Sequence, residues 1–525
     1  MSDESKDIWI TFNGEIYNHL QLREELISKG YQFKTDHSDT ECLIHGYREW
    51  GFDGLLTKLI GDFAFAIWDE KNKMINIARD RAGVKPVYFY SNNNKFIFAS
   101  EIKSILSDET VSKDIEPIAM YHYLSFLTTP APFTMFKGIF KLPAGHALTV
   151  NNTGKINSWK YWDSVPGKGF DKKEFNNLSN NAKEEFLIKG IKDRLYESTK
   201  RRMISDVKVG VFLSGGIDSS ANVSLMSQFS NSTVDTYTVG FKDYKHLNEL
   251  DYADLVAKKY NTNHHEILIS EKDMVNYIED LIHSQDEPIA DWVCVPLFYV
   301  SKLAKENGST VVLVGEGADE QFCGYNSYMQ YLNLYYNYWA PYRKYIPSKV
   351  RQINSNIFDL IGKLKPKYLQ YTDIIKRASE KNGEHFWGGN LIFNESAKSQ
   401  LLNPLADWTS YIDSNIKNSG LISSKYLENN TFNIVSSILS QFDSNHPGMD
   451  VLTRMIYTEF KLRLPELLLM RVDKITMSQS LEARVPFLDN ELIDFTMDIP
   501  EEWKVKNNTP KYILKKALEG IIPNE

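Results

Sequence analysis

Cysteine is scarce in this chain: Cys42, Cys294 and Cys323 are the three among 525 residues. An odd number, without a Cys-x-x-Cys pair or a histidine spacing for zinc, excludes a disulfide framework and fits free thiols in a reducing compartment. Long hydrophobic runs are lacking too. No stretch of about 18 apolar residues occurs, and the polar start Met1-Ser-Asp-Glu-Ser-Lys-Asp7 has no apolar leader core, so a cytoplasmic location with no membrane partner is expected. Positive charge is in deficit: the net charge of −8 leaves no basic field to attract nucleic acid or an anionic membrane. Also absent is Gly-x4-Gly-Lys-Ser/Thr, which excludes the phosphate cradle of kinases and ATPases, where a lysine reaches the terminal phosphates.

What is present begins with Ser214-Gly215-Gly216-Ile217-Asp218-Ser219-Ser220, directly behind the apolar run 207–213. A β-rich run that stops at Ser-Gly-Gly and gives way to a helix-like segment places backbone N–H groups and a helix N-terminus around an anion. A loop that grips the β and γ phosphates as one leaving group suits attack at the α phosphorus, which makes an adenylate and releases pyrophosphate. An ordinary strand-to-helix turn would explain the glycines, though not the whole Ser-Gly-Gly-x-Asp-Ser pattern.

With 42% hydrophobic and 24% charged residues the composition is globular, and the length is too great for one core. Residues 8–165 are β-rich, with runs at 8–12, 63–68, 74–78, 86–90, 95–99 and 146–150 and helical stretches at 20–29 and 40–50. This is an α+β pattern. Around 162–181 periodicity fades into Gly, Lys, Asp and Asn, the composition of a linker. Beyond it, strand-like 207–213, 234–239, 265–269 and 311–314 alternate with helix-like segments, the signature of a parallel sheet covered by helices. In such a sheet ligands sit at the carboxyl ends of the strands. Both 214–219 and Gly315-Glu-Gly-Ala-Asp-Glu320 fall there. Residues 326–450 read as a mostly helical insertion.

The second half resembles the synthetase domain of the glutamine-hydrolysing asparagine synthetase family, through Leu213–Ser220, Thr238-Val-Gly-Phe241, Asp286-Glu-Pro288, 315–320 with Gly324-Tyr325, and Leu481-Glu-Ala-Arg-Val-Pro-Phe-Leu-Asp489. The first half is similar to that family's class II glutaminase domain, through Asn13-Gly-Glu-Ile-Tyr-Asn18, Ser38-Asp-Thr-Glu41, 64–69, 78–81, 83–86 and Leu142-Pro-Ala-Gly-His146. The resemblance implies an α/β and α+β protein of two domains: a partial N-terminal-nucleophile αββα sandwich at 1–165, a linker at 166–185, and a parallel-sheet pyrophosphate-loop domain with a helical insertion at 186–525. It implies ATP-dependent synthesis of asparagine from aspartate with glutamine-derived ammonia, through β-aspartyl-AMP. Branches of the family close β-lactam rings or amidate other acceptors, including sugars of surface polysaccharides, and a silent ATP- or glutamine-binding homologue is the reading from another class. Small molecules are the implied partners, with a homodimer as the candidate assembly.

By family position Leu213, Val239, Val314 and Gly315 contact the nucleoside, Ser214, Gly215, Gly216 and Ser219 cradle phosphate, and Asp218 and Asp319 hold Mg2+, whose preference for hard oxygens suits them. Glu316 matches the carboxylate needed to form the adenylate. Val314 stands where asparagine-forming members usually carry serine. In the first half Asn13 and Gly14 are the implied oxyanion donors, and Glu15 and Asp39 the groups that hold the glutamine α-amino group. Asp286-Glu287 is expected in the active-site wall, and Arg484 outside the set of residues touching substrate.

The family's nucleophile is an N-terminal cysteine on a strand upstream of Asn-Gly-Glu, and Ser2 stands too close to Asn13 to occupy such a strand. Cys42, among apolar neighbours of a helix, reads as a buried structural thiol. A basic C-terminal segment with a lysine that assists the adenylate is likewise expected beyond residue 525. The 525-residue chain is therefore expected to form no glutamate from glutamine above the water rate; glutamate formation abolished by Cys42→Ala would overturn the reading of that thiol.

Overall fold

The computed structural model describes residues 1–524 apart from 93–94, 231, 366–367, 382, 387, 389–391, 403–411 and 429. Thirteen strands among the described residues make three sheets. In the first half, β1 (Ile8–Ile16), β2 (Gly61–Asp69), β3 (Met74–Arg79), β7 (His146–Asn151) and β8 (Ile156–Lys160) form one antiparallel sheet in the order β1-β2-β3-β7-β8. A second antiparallel sheet has the order β5-β4-β6, with β4 at Tyr88–Asn92, β5 at Lys95–Ala99 and β6 at Ile139–Lys141.

Alternation along β2 decides how these layers stack, since successive side chains of a strand face opposite ways. Phe63, Phe65 and Ile67 pack with Leu22 of helix His19–Ser28 and with Leu43, Ile44, Leu55 and Leu56 of helix Asp39–Lys58. Ala64 and Ala66 face the other way, onto Phe89 and Phe140 of the smaller sheet and Val87 just before it. The small residues let the two sheets approach, and a helix, sheet, sheet order results. Ser38 caps the longer helix by accepting from Glu41 N–H, as its sequence position suggests. At the free edge of β1, Ile10 N–H donates to Met1 C=O at 2.9 Å and Ser2 makes a single antiparallel bridge to Trp9. Ser2 thus meets the edge of β1 by one bridge and forms no strand of its own.

The second half is built on five parallel strands, β9 (Val209–Phe212), β10 (Asp235–Phe241), β11 (Asn263–Ile269), β12 (Val311–Leu313) and β13 (Glu482–Arg484), in the order β11-β10-β9-β12-β13. The chain winds outward from β9 in one direction to β11 and then returns past it to β12. The strand order reverses between β9 and β12, and a crevice opens at such a switch point. The fifth strand lies in 481–489, where no strand was expected: three residues give too short a run for alternation to show. Residues 166–185, expected as linker, include helix Lys172–Asn177 and the first turn of helix Asn180–Arg202. They are fastened rather than loose, because Asp498 accepts from Gly167 N–H and Gly169 N–H, each at 2.7 Å. Helices fill most of the described part of 326–450.

The two halves meet through buried charge. Arg79 on β3 donates to Glu466 at 3.1 Å, with both side chains about 1% exposed. Lys141 on β6 lies 3.0 Å from both Glu287 and Glu466, and Lys85 lies 2.9 Å from Asp473. Arg79 also donates to the carbonyls of Gly83, Lys85 and Leu142, so its donors are spent on both halves. Removing one member leaves its partner as an uncompensated buried charge, which costs about 3–5 kcal/mol. Arg79→Ala and Glu466→Ala are each expected to lower unfolding stability by that amount in urea titrations monitored by tryptophan fluorescence, and a loss below about 1 kcal/mol would show the network to be dispensable.

Candidate functional site

The crevice between β9 and β12 is lined by two loops. Behind β9, Ser214 and Ser219 interlock: Ser214 N–H donates to Ser219 Oγ at 3.2 Å, the two hydroxyls are 3.2 Å apart, and Ser219 Oγ donates to Gly216 C=O at 3.1 Å. Gly215 has φ of +83°, and a Cβ there would stand 2.5 Å from Tyr252 Cβ, so this turn demands glycine twice over. Gly216 is the N-cap of helix Ile217–Phe229 and has no side chain to satisfy the first N–H groups, which leaves them for an anion. Behind β12, Val314 N–H donates to Arg484 C=O at 3.0 Å and Gly315 follows. A Cβ on Gly315 would lie 3.0 Å from Asp218 Cβ; the bare glycine lets the two strand ends touch. Of the expected nucleoside contacts, Leu213 has its N–H bonded to Tyr237 C=O and its own C=O taken by the Thr238 hydroxyl. Val239 lies on β10, half-buried.

Asp218 and Asp319 converge on one ammonium group. Lys511 Nζ is 2.6 Å from Asp218 Oδ2 and 2.6 Å from Asp319 Oδ1. Burial pushes the Asp218 carboxyl up to about 6; Lys511 opposes the rise and the Asp319 charge adds to it. Asp218 Oδ1 is buried with no hydrogen-bond partner. Next door, burial and the charges of Asp319 and Glu316 raise the Glu320 carboxyl to about 8, and Tyr325 OH donates to it at 2.7 Å. So dense a set of carboxylates calls for cations. Two of them sharing one ammonium, with an oxygen left over, fit a hard divalent ion that completes its shell with phosphate oxygens and water. Among the described residues no cluster of three or more His, Cys, Asp or Glu side chains could hold a metal by itself. Lys511 was missed from the sequence: it enters from a turn 192 residues beyond Asp319, with no local pattern to mark it.

Glu316 is held by Arg471, whose Nη2 donates to it at 2.5 Å while Nη1 donates to Asp291 at 2.6 Å. Arg471 sits on helix Leu469–Met477, and its place there was not singled out by the sequence reading. Three residues on, Lys474 donates to Asp286 at 2.7 Å. Asp286 also accepts from Ile102 N–H at 2.9 Å, and Glu287 from Met135 N–H at 2.8 Å. Asp286 and Glu287 therefore fasten the first half to the second, and as buried carboxylates they take the donors that the facing half supplies.

In the first half Asn13, Gly14 and Glu15 lie on β1 itself, paired with Ala64, Phe63 and Asp62 of β2. Asn13 Nδ2 donates to Ser100 Oγ at 3.1 Å, and Asp39 accepts from Ile16 N–H at 3.1 Å. Glu15 turns to the other half, where Arg484 Nη2 donates to it at 3.1 Å. Burial outweighs that guanidinium and lifts the Glu15 carboxyl to about 7, with Asp39 close enough to add to the rise. Arg484 links the two candidate sites, since its backbone C=O anchors Val314 and its side chain reaches Glu15. Cys42 is fully buried, its thiol donates weakly to the His19 and Ser38 carbonyls, and burial pushes it up to about 12. Such a thiol is no nucleophile at neutral pH.

The asparagine synthase family model matches residues 190–525, and the glutamine amidotransferase domain model matches residues 1–162. Asparagine synthetase (glutamine-hydrolyzing) 1 of Bacillus subtilis is 35% identical over 523 residues, which cover 100% of this chain and 75% of that protein. Asparagine synthetase (glutamine-hydrolyzing) 3 of the same organism is 29% identical over 531 residues, 98% of this chain and 73% of that protein. Amidase chyE of Penicillium rubens is 26% identical over 553 residues, 100% of this chain and 76% of that protein.

The charge pattern of the crevice sets a pH dependence. The Asp218 carboxyl loses its proton as pH rises through about 6, so affinity for a divalent cation and the nucleotide it accompanies is expected to rise through that value. Lys511→Met removes the cation that opposes the rise, and should move this limb upward by about one unit or more. Calorimetric titration of nucleotide between pH 5 and 8 checks both; a limb that stays in place would show that Asp218 does not control binding.

Proposed function

The chain belongs to the asparagine synthase family, and from that premise we propose that it makes asparagine from aspartate and ATP, using ammonia drawn from glutamine, with release of AMP and pyrophosphate. The observation that carries the reading is the meeting of Asp218, Asp319 and Glu316 at the switch point beside an uncapped helix N-terminus. An adenylate-forming enzyme needs a pyrophosphate cradle and a reacting carboxylate side by side, and this crevice has the parts for both.

In this reading the triphosphate lies along 214–219, its β and γ groups against the open N–H groups of the helix. Ser214 and Ser219, locked to each other and to the loop, keep those groups aimed without needing to reorganise. Asp218 and Asp319 would hold Mg2+, which supplies neutralisation of phosphate charge when bound. Lys511 contributes a second positive charge between the same carboxylates, placed to meet pyrophosphate as it leaves. The substrate β-carboxylate attacks the α phosphorus, and pyrophosphate departs. Ammonia then adds to the acyl carbon, becomes cationic, and must lose a proton before AMP is expelled. Glu316, fixed by Arg471, is the carboxylate we assign to the adenylate step and to that proton. Leu213, Val239, Val314 and Gly315 are assigned to the nucleoside.

Asn13 and Gly14 are assigned as oxyanion donors for glutamine, and Glu15 and Asp39 to its α-amino group. Arg484 ties this first site to the crevice, since it bonds Glu15 on one side and the Val314 backbone on the other. The domain boundaries supported by this assignment are 1–165 and 186–525, with 166–185 between.

AMP and pyrophosphate are expected in equal amounts, with no ADP, when the chain turns over with aspartate, ammonium and ATP. Glu316→Gln and Asp218→Asn are each expected to lower kcat by about 100-fold or more. Mass spectrometry of the products decides the acceptor; turnover that yields ADP, or no asparagine from aspartate in a protein that binds nucleotide, would reject the assignment.

A further inference from the structure

Helix Ser348–Leu364 packs against helix Leu369–Ser379 and buries Arg351 and Ser355. Its opposite side is apolar and open. Val350, Ile353, Ile357, Leu360 and Leu364 are 42%, 57%, 50%, 61% and 74% exposed. Their spacing of three and four residues makes one continuous stripe along the helix. Amphipathic helices of globular proteins turn such a stripe to the core; this one points outward. Tyr345, at 70% exposure, and Tyr338, at 67%, are exposed on the segment that leads into it, with the Lys344 ammonium 5.3 Å from the centre of the Tyr345 ring.

Charge says what the stripe faces. Residues 343–371 contain seven Lys or Arg and, on the acidic side, Asp359 alone, a local net charge of +6 in a chain of net charge −8. Lys344, Lys349 and Lys365 are exposed around the helix, and among the described residues none of the three is drawn into an ion pair. A helix with an apolar face, flanking lysines and exposed tyrosines has the composition of a segment that lies in the headgroup region of an anionic bilayer. Two copies of the stripe packed face to face would bring the flanking lysines of one copy against those of the other, which argues against self-association. No described helix is long and apolar enough to cross a membrane, so contact is with the surface.

We propose that this face docks on an anionic lipid bilayer, with the stripe 350–364 among the lipid headgroups and Lys344, Lys349 and Lys365 on their phosphates. The net charge of −8 led to the opposite expectation, of no membrane partner. Net charge is an average, and attraction to a surface falls off within a Debye length, about 8–10 Å, so the local excess governs.

The test is flotation of the full chain with vesicles of equimolar phosphatidylglycerol and phosphatidylcholine, and with phosphatidylcholine alone. Flotation with the anionic vesicles only, reversed by high salt, is expected. Ile353→Asp with Ile357→Asp should abolish it, and Lys344→Glu, Lys349→Glu and Lys365→Glu together should weaken it by about 100-fold. Both variants change exposed side chains and are expected to keep the native unfolding midpoint. Failure of the native chain to float, equal binding to neutral vesicles, or unchanged flotation of either variant would overturn the proposal. So would concentration-dependent dimerisation, seen by light scattering, that Ile353→Asp with Ile357→Asp abolishes while no vesicle is bound; that result would assign the stripe to a second copy.

Discussion

Buried ion pairing between the two halves is the constraint on which the rest of the molecule depends. Arg79, Lys85 and Lys141 come from the sandwich, and Glu466, Asp473 and Glu287 from the parallel-sheet half. Neither set could be buried alone, because a charge taken out of water without a partner costs several kcal/mol. Each half therefore presents a surface that is complete only against the other. Asp473 and Arg471 lie in the same helix, so the element that locks the interface also positions Glu316. A shift of the sandwich would be felt at Glu316 through a few packed side chains.

The crevice follows the same rule on a smaller scale. Asp218, Asp319, Glu320 and Glu316 are crowded at the ends of two adjacent strands, and their mutual repulsion is relieved by Lys511 and Arg471. The raised carboxyls of Asp218 and Glu320 show that this relief is incomplete. A site left short of positive charge in this way has room for a further cation. Arg484 extends the pattern to the first half, where Glu15 keeps a raised carboxyl despite its guanidinium partner.

Much of the fold was legible because it is written locally. The apolar runs at 63–68 and 74–78 and the strand-loop-helix sequence through Ser214-Gly-Gly216 all became the elements they suggested. Strand β13 was not legible, since three residues whose partner strand β12 lies 171 residues earlier in the chain carry no periodicity. The region 166–185 looked like a linker by composition, yet Asp498 from far along the chain holds two of its backbone N–H groups.

The amino-acid sequence by itself determined the two-domain architecture, the strand–loop–helix turn at 214–219, and the position of Asp218, Glu316 and Asp319 just behind two strands, because each depends on residues close together in the chain. Only the tertiary structure decided which cations meet those carboxylates. Lys511 and Arg471 lie more than 150 residues from the acids they bind, and Asp286 and Glu287 turned to the sandwich because Ile102, Met135 and Lys141 offered donors there. Pairing of buried charge is a contest among all groups brought within a few ångströms, and the contestants are known only after the chain has folded.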